Sequence, residues 1–197
     1  MIALIYIHGF LSSPQSYKAQ QVGAWLCAQR PDISYHCPHL TPYPAEVQLQ
    51  LETLVESLLP QPVYLLGSSL GGYWCTYLAE KYDLPVVLIN PSVCPYEMML
   101  SYLEQPLKSY YSDEVYTLSA VHVDEIKAVD TPLITRPKNY WLMAQTADET
   151  LDYRQAVEKY SACKQLVEEG GDHSFQNFER HIPSILEFLE HNKNRDI

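Results

Sequence analysis

A chain of 197 residues, 47% hydrophobic and 19% charged, has the make-up of one globular domain with a full core, and its composition excludes a low-complexity or repeat architecture. A formal net charge of −11 argues against a nucleic-acid or anionic-membrane binder, because such proteins need basic patches to neutralise phosphates. Five cysteines, odd in number and set in apolar stretches, read as reduced thiols. The apolar start, Met1 to Ile7, lacks a basic leader and a small-residue cleavage site, and no run reaches the length of a membrane span. The expectation is a cytoplasmic protein without a membrane span.

Taken in order, Ala3 to Ile7 reads as a fully buried strand that stops at His8-Gly9-Phe10. A glycine turn there sets backbone N–H groups at the carboxyl edge of a sheet, where open α/β sheets bind ligands. Ser13-Pro14 reads as the cap and first position of a helix reaching about Gln29, with Val22, Trp25 and Leu26 facing the core. A second strand covers Ile33 to Cys37. Pro44 opens a helix with Val47, Leu51, Leu54, Val55 and Leu58 at helical spacing, and Pro60 ends it. Val63 to Leu66 is the third strand, followed by a tight turn and a helix to Tyr82. PVVLIN (Pro85 to Asn90), NYWLMAQ (Asn139 to Gln145) and CKQLV (Cys163 to Val167) supply three more strands, with a helix over Tyr153 to Tyr160. A last helix carries Phe178, Ile182, Ile185, Leu186 and Leu189 before a polar tail. Strands apolar on both faces, alternating with amphipathic helices, predict a three-layer α/β/α sandwich around a mostly parallel sheet of about six strands.

Between the fourth and fifth strands the rhythm breaks. Residues 91 to 138 hold five prolines, a helix over Leu118 to Val129, and Tyr96, Met98, Met99, Tyr102, Tyr110, Tyr111 and Tyr116. That is longer than a crossover helix requires, so the chain reads as a single domain, 1–197, with a cap-like insertion at about 92–138 over the carboxyl edge. Its tyrosines and methionines can line an apolar substrate pocket or simply pack the insertion down.

The centre of the chain is Gly67-Ser68-Ser69-Leu70-Gly71. A serine hydroxyl becomes a useful nucleophile when a strained turn presents it to a base and to oxyanion-stabilising N–H groups. In the G-x-S-x-G elbow, glycines two before and two after the serine let strand and helix pass closely. Ser69 has glycine at both positions, whereas Ser68 has Leu66 and Leu70. The stretch lacks both the lysine ending of a P-loop and the spacing of a dinucleotide-binding turn.

A nucleophile on this elbow needs an acid and then a histidine further along the chain, both at the same sheet edge. Thr146-Ala147-Asp148-Glu149 follows the fifth strand and Gly170-Gly171-Asp172-His173 follows the sixth. His173 is the candidate base, since the two glycines before it allow a tight turn toward the elbow. Asp148 is placed best for the acid, with Glu149 and Asp152 close enough to substitute if the turn is longer. The expected oxyanion hole is the backbone N–H of Phe10 and of Leu70. His8 belongs to the first turn and is read as shaping it. His36-Cys37-Pro38-His39 lacks a matching ligand pair elsewhere, so no metal site is assigned.

The order HGF, G-x-S-x-G, acid, histidine resembles the α/β-hydrolase superfamily. More closely, His8-Gly9-Phe10-Leu11-Ser12-Ser13-Pro14, Gly67 to Gly72, Asn90-Pro91-Ser92, Asp148 to Tyr153 and Glu169 to His173 are similar to the small bacterial YqiA-type esterases, over nearly the whole chain. The resemblance implies a compact hydrolase with Ser69, Asp148 and His173 as triad, acting on carboxylic esters or thioesters without a cofactor.

The expected function is therefore serine-dependent cleavage of a small-molecule acyl ester through an acyl-enzyme, by a monomer or small homo-oligomer. Two readings compete with it. One is an acyl thioesterase or carbon–carbon hydrolase on the same triad; the other is a hydrolase fold that binds a ligand or partner without turnover.

Overall fold

The computed structural model describes residues 2–193, so the polar tail expected after the last helix lies outside the described residues. Six parallel strands form the main sheet: β1 (Ile2–Ile7), β2 (Ile33–His36), β3 (Val63–Ser68), β4 (Val86–Ile89), β7 (Tyr140–Gln145) and β8 (Lys164–Glu168). Their spatial order is β2-β1-β3-β4-β7-β8. The chain runs outward from β1 to β2 and then returns to β1's other side for β3. A crevice therefore opens at the carboxyl ends of β1 and β3, where loops diverge to opposite faces.

Strand alternation divides the core in two. Ala3, Ile5 and Ile7 face a layer made by α2 (Pro44–Leu58), α3 (Leu70–Tyr82), α5 (Ala120–Ala128) and α6 (Tyr153–Lys159). Leu4 and Tyr6 face the other layer, α1 (Tyr17–Gln29) and α7 (Ile182–Lys193). Val63 and Leu65 against Tyr64 and Leu66 repeat the division, as do Val86 and Leu88 against Val87 and Ile89. Each of these side chains is buried, and burying each valine, leucine or isoleucine among them stabilises the fold by roughly 1.5–3 kcal/mol. The parallel α/β/α architecture expected from the apolar strands is the observed one.

Two details differ from the sequence expectation. The first helix begins at Tyr17 rather than Pro14, because the preceding residues close a turn: Ser16 N–H donates to the Ser13 carbonyl at 3.0 Å and Gln15 N–H to Ser13 Oγ at 3.0 Å. Residues 92–138 also contain, besides α4 (Pro95–Met99) and α5, a two-stranded antiparallel ribbon of β5 (Pro106–Lys108) and β6 (Val115–Thr117). The ribbon was not expected, since strands of three residues give no usable alternation. This segment is tied to the loop after β1: Tyr110 N–H donates to the Leu11 carbonyl at 3.0 Å, and the Phe10 and Tyr102 rings stack at 5.9 Å.

All five cysteines are free. Among the described residues, no helix is long and apolar enough to cross a membrane.

Candidate active site

The turn between β3 and α3 forces Ser69 into φ 57°, ψ −124°, a backbone region that ordinarily favours glycine. Holding a serine there costs on the order of 1–3 kcal/mol, which surrounding packing must offset. Gly71 makes that packing feasible. A methyl group there would lie 1.9 Å from the Ile7 carbonyl oxygen and 2.7 Å from that of His8, so α3 can start against the end of β1 only with no side chain at this position. Both obstacles are backbone and cannot swing aside. Gly71→Ala is accordingly expected to destabilise the protein by more than about 3 kcal/mol, read as a lost or much lower urea midpoint. Gly170→Ala, with nothing within 4 Å of the added methyl but a φ of +81°, should cost only about 1–2 kcal/mol.

His173 reaches the elbow from the loop after β8. Its Nε2 lies 3.0 Å from Ser69 Oγ, and its Nδ1 lies 2.9 Å from both carboxylate oxygens of Asp148. With Nδ1–H donating to Asp148, Nε2 is the acceptor for the Ser69 hydroxyl. Asp148 has a side chain only 1% exposed, against 24% for His173, so the acid sits behind the imidazole. Burial pushes the Asp148 carboxyl up, but hydrogen bonds from His173 and from the Leu151 and Thr150 N–H groups outweigh it and hold it below its ordinary value. A buried carboxylate thus backs the imidazole on the side away from Ser69.

The other carboxylates go elsewhere. Glu149 turns back to accept the backbone N–H of His173 at 3.0 Å. Asp152 caps α6, accepting Arg154 N–H at 3.0 Å and pairing with the Arg154 guanidinium. Phe10 and Leu70 flank the elbow, and among the described residues neither N–H is paired with an acceptor. His8 is buried within the first turn, where its Nδ1–H donates to the Gly9 carbonyl at 2.9 Å and its Nε2 accepts Leu40 N–H at 3.2 Å. Burial lowers its pKa, and the neutral tautomer satisfies both contacts.

Two buried amides, Asn90 and Gln145, hold the histidine loop, and nothing in the sequence reading gave them that part. Asn90 Nδ2 donates to the carbonyls of Asp172 and His173 at 3.0 and 3.1 Å, while its Oδ1 accepts Gln145 N–H at 2.9 Å. Gln145 Oε1 accepts Asp172 N–H and Gln176 N–H. A methyl group on Gly171 would fall 1.9 Å from that same oxygen. The available signal was position: each amide closes an otherwise apolar strand at the functional edge.

A cavity of about 420 Å³ opens over Ser69 and His173, lined by the apolar and aromatic side chains of Phe10, Met98, Tyr102, Tyr110 and Tyr111 together with Ser12, Ser16, Tyr17 and Lys18. A larger hollow of about 470 Å³ lies at the amino edge of the sheet around Trp25 and Arg30, far from the elbow. Its arginine is already paired with Asp32 and Glu190.

The family model described as "Uncharacterised protein family (UPF0227)" matches residues 3–190. The chain belongs to the UPF0227 family. Among UPF0227 relatives, the protein YcfP of Salmonella gallinarum is 23% identical over 192 residues, covering 94% of this chain and 97% of its own length. Solved structures similar to this UPF0227 member include Est1E from Butyrivibrio proteoclasticus, at 14% identity and a TM-score of 0.72, covering 98% of this chain and 89% of that one. Mouse alpha/beta hydrolase domain-containing protein 10 gives 17% identity and a TM-score of 0.72, covering 96% and 90%. At such identities the likeness shows the fold: this UPF0227 chain has the α/β-hydrolase architecture.

Proposed function

We propose that the protein is a serine hydrolase that cleaves carboxylic esters through an acyl-enzyme. The observation that carries this reading is the chain of contacts Ser69 Oγ–His173 Nε2 at 3.0 Å and His173 Nδ1–Asp148 at 2.9 Å, opening on a cavity. Ser69 Oγ attacks the ester carbonyl carbon while its proton passes to His173 Nε2. The negative charge that develops on the carbonyl oxygen is met by the N–H groups of Phe10 and Leu70. Collapse breaks the carbon–oxygen bond to the alcohol, and Nε2 returns its proton to the departing oxygen. Water, deprotonated by the same Nε2, then attacks the acyl-serine and releases the carboxylic acid. Asp148 fixes the imidazole tautomer and stabilises the imidazolium throughout.

Residues 92–138 serve in this reading as a cap, with Met98, Tyr102, Tyr110 and Tyr111 supplying the apolar wall that receives the acyl chain or leaving group. The esterase and lipolytic names carried by similar folds agree with such chemistry. The test is labelling with a fluorophosphonate followed by peptide mapping. The expected result is a single adduct on Ser69. Folded protein that takes no adduct, at a probe size known to enter the cavity, would favour a hydrolase fold used only for binding.

A further inference from the structure

We propose that Lys18 forms a carboxylate-binding subsite inside the Ser69 cavity, so that the substrate is an acyl ester or thioester carrying a free carboxylate. The inference rests on the acyl-hydrolase reading of Ser69 and narrows its substrate class.

Lys18 occupies the second position of α1 and lines the same cavity as Ser69 and His173. Two rules of stability are broken there. The residue is half-buried, yet among the described residues no carboxylate lies within ion-pairing distance of its ammonium. It is also a cation at the positive end of a 13-residue helix whose first turn holds no acidic residue. A chain that keeps a lysine at such a place accepts a cost that a ligand's negative charge would offset.

The donors are free to do so. Nζ donates to the Ser174 carbonyl at 2.7 Å, leaving two of its three N–H groups without an acceptor among the described residues. The two carboxylates that act on it are each occupied: Asp148 by His173 and two backbone N–H groups, and Asp172 by Ser174 and Gln176. The surrounding negative charge also selects among anions. One ammonium already under the pull of Asp172 and Asp148 suits a singly charged carboxylate better than a doubly charged phosphate. The same cavity is lined by Phe10, Met98, Tyr102, Tyr110 and Tyr111, which fit an apolar middle to the same molecule.

Burial pushes Lys18 down to about 8, against the opposing pull of Asp172 and Asp148. The subsite is therefore charged below about pH 8 and loses its charge above it. The other titratable groups on the cavity, Tyr6, Tyr17, Tyr102, Tyr110, Tyr111, Glu149 and His173, are shared by wild type and Lys18→Met, so the difference between the two pH profiles isolates Lys18.

The test compares 4-nitrophenyl butyrate with 4-nitrophenyl hemisuccinate, which adds a carboxylate to an acyl chain of the same length, in wild type, Lys18→Met and Lys18→Arg. The quantity read is the ratio of kcat/KM for the anionic ester to that for the neutral one. Lys18→Met is expected to lower this ratio at least about tenfold, and Lys18→Arg to keep it within about threefold of wild type. In wild type the ratio falls as pH rises through about 8, and in Lys18→Met it does not. An unchanged ratio, with both esters slowed alike, would overturn the proposal and leave Lys18 as a positioning residue acting through Ser174. If wild type cleaves neither ester and takes no fluorophosphonate, the hydrolase reading fails by itself. The subsite is then read by calorimetric binding of N-benzylsuccinamate, expected to weaken about tenfold or more in Lys18→Met. Equal binding to both proteins would overturn it.

Discussion

Ser69→Ala is expected to lower turnover of a simple aryl ester by on the order of 10⁴-fold or more, with the fold intact. Only one atom is removed, and it is the atom 3.0 Å from the imidazole nitrogen that would take its proton. The strain at φ 57° is the same for alanine as for serine, so the thermal midpoint should move little. Residual hydrolysis above background would come from the N–H groups of Phe10 and Leu70 and from binding in the cavity. Turnover within about tenfold of wild type would place the chemistry on another group.

The second large effect concerns the acid. Asp148→Asn is expected to cut kcat by roughly 10³–10⁴-fold, while Asp152→Asn stays within about threefold of wild type. An asparagine at 148 would present an N–H where the carboxylate now accepts from His173 Nδ1, so the imidazole would turn to its other tautomer. Nε2 would then carry a proton and could not receive that of Ser69. Asp152 binds Arg154 and the start of α6, and its loss should appear as a small change in stability. The reverse pattern, a silent 148 and a crippled 152, would assign the acid to the capping residue. Kinetics of the two variants on one ester, with circular dichroism to check folding, decide between them.

Legibility of this fold in its sequence follows a physical divide. The sheet was legible because its strands are apolar on both faces, and a four-residue run such as LIYI or VVLI between turn residues has few alternatives. The elbow was legible because close approach of backbone to backbone demands glycine, and the methyl that Gly71 lacks would collide with Ile7. The start of α1 was misplaced because Ser-Pro can open a helix or close a turn, and here the Ser13 carbonyl is taken by Ser16. Contacts across long separations left no local trace. Asn90 meets a loop 82 residues on, and Lys18 meets Ser174 across 156. Neither partnership has a spacing that a linear reading could detect.

Cys75 lies directly under the elbow: a methyl on Gly67 would come within 2.6 Å of its sulfur, and the residue is fully buried. Burial also raises its pKa well above the ordinary thiol value, so it offers almost no thiolate while the native packing lasts. Alkylation of this cysteine must then wait for the strand end and α3 to part. Its rate of modification, set against that of the exposed Cys27, amounts to a built-in clock for the spontaneous opening of the Ser69 turn, ticking without substrate or inhibitor.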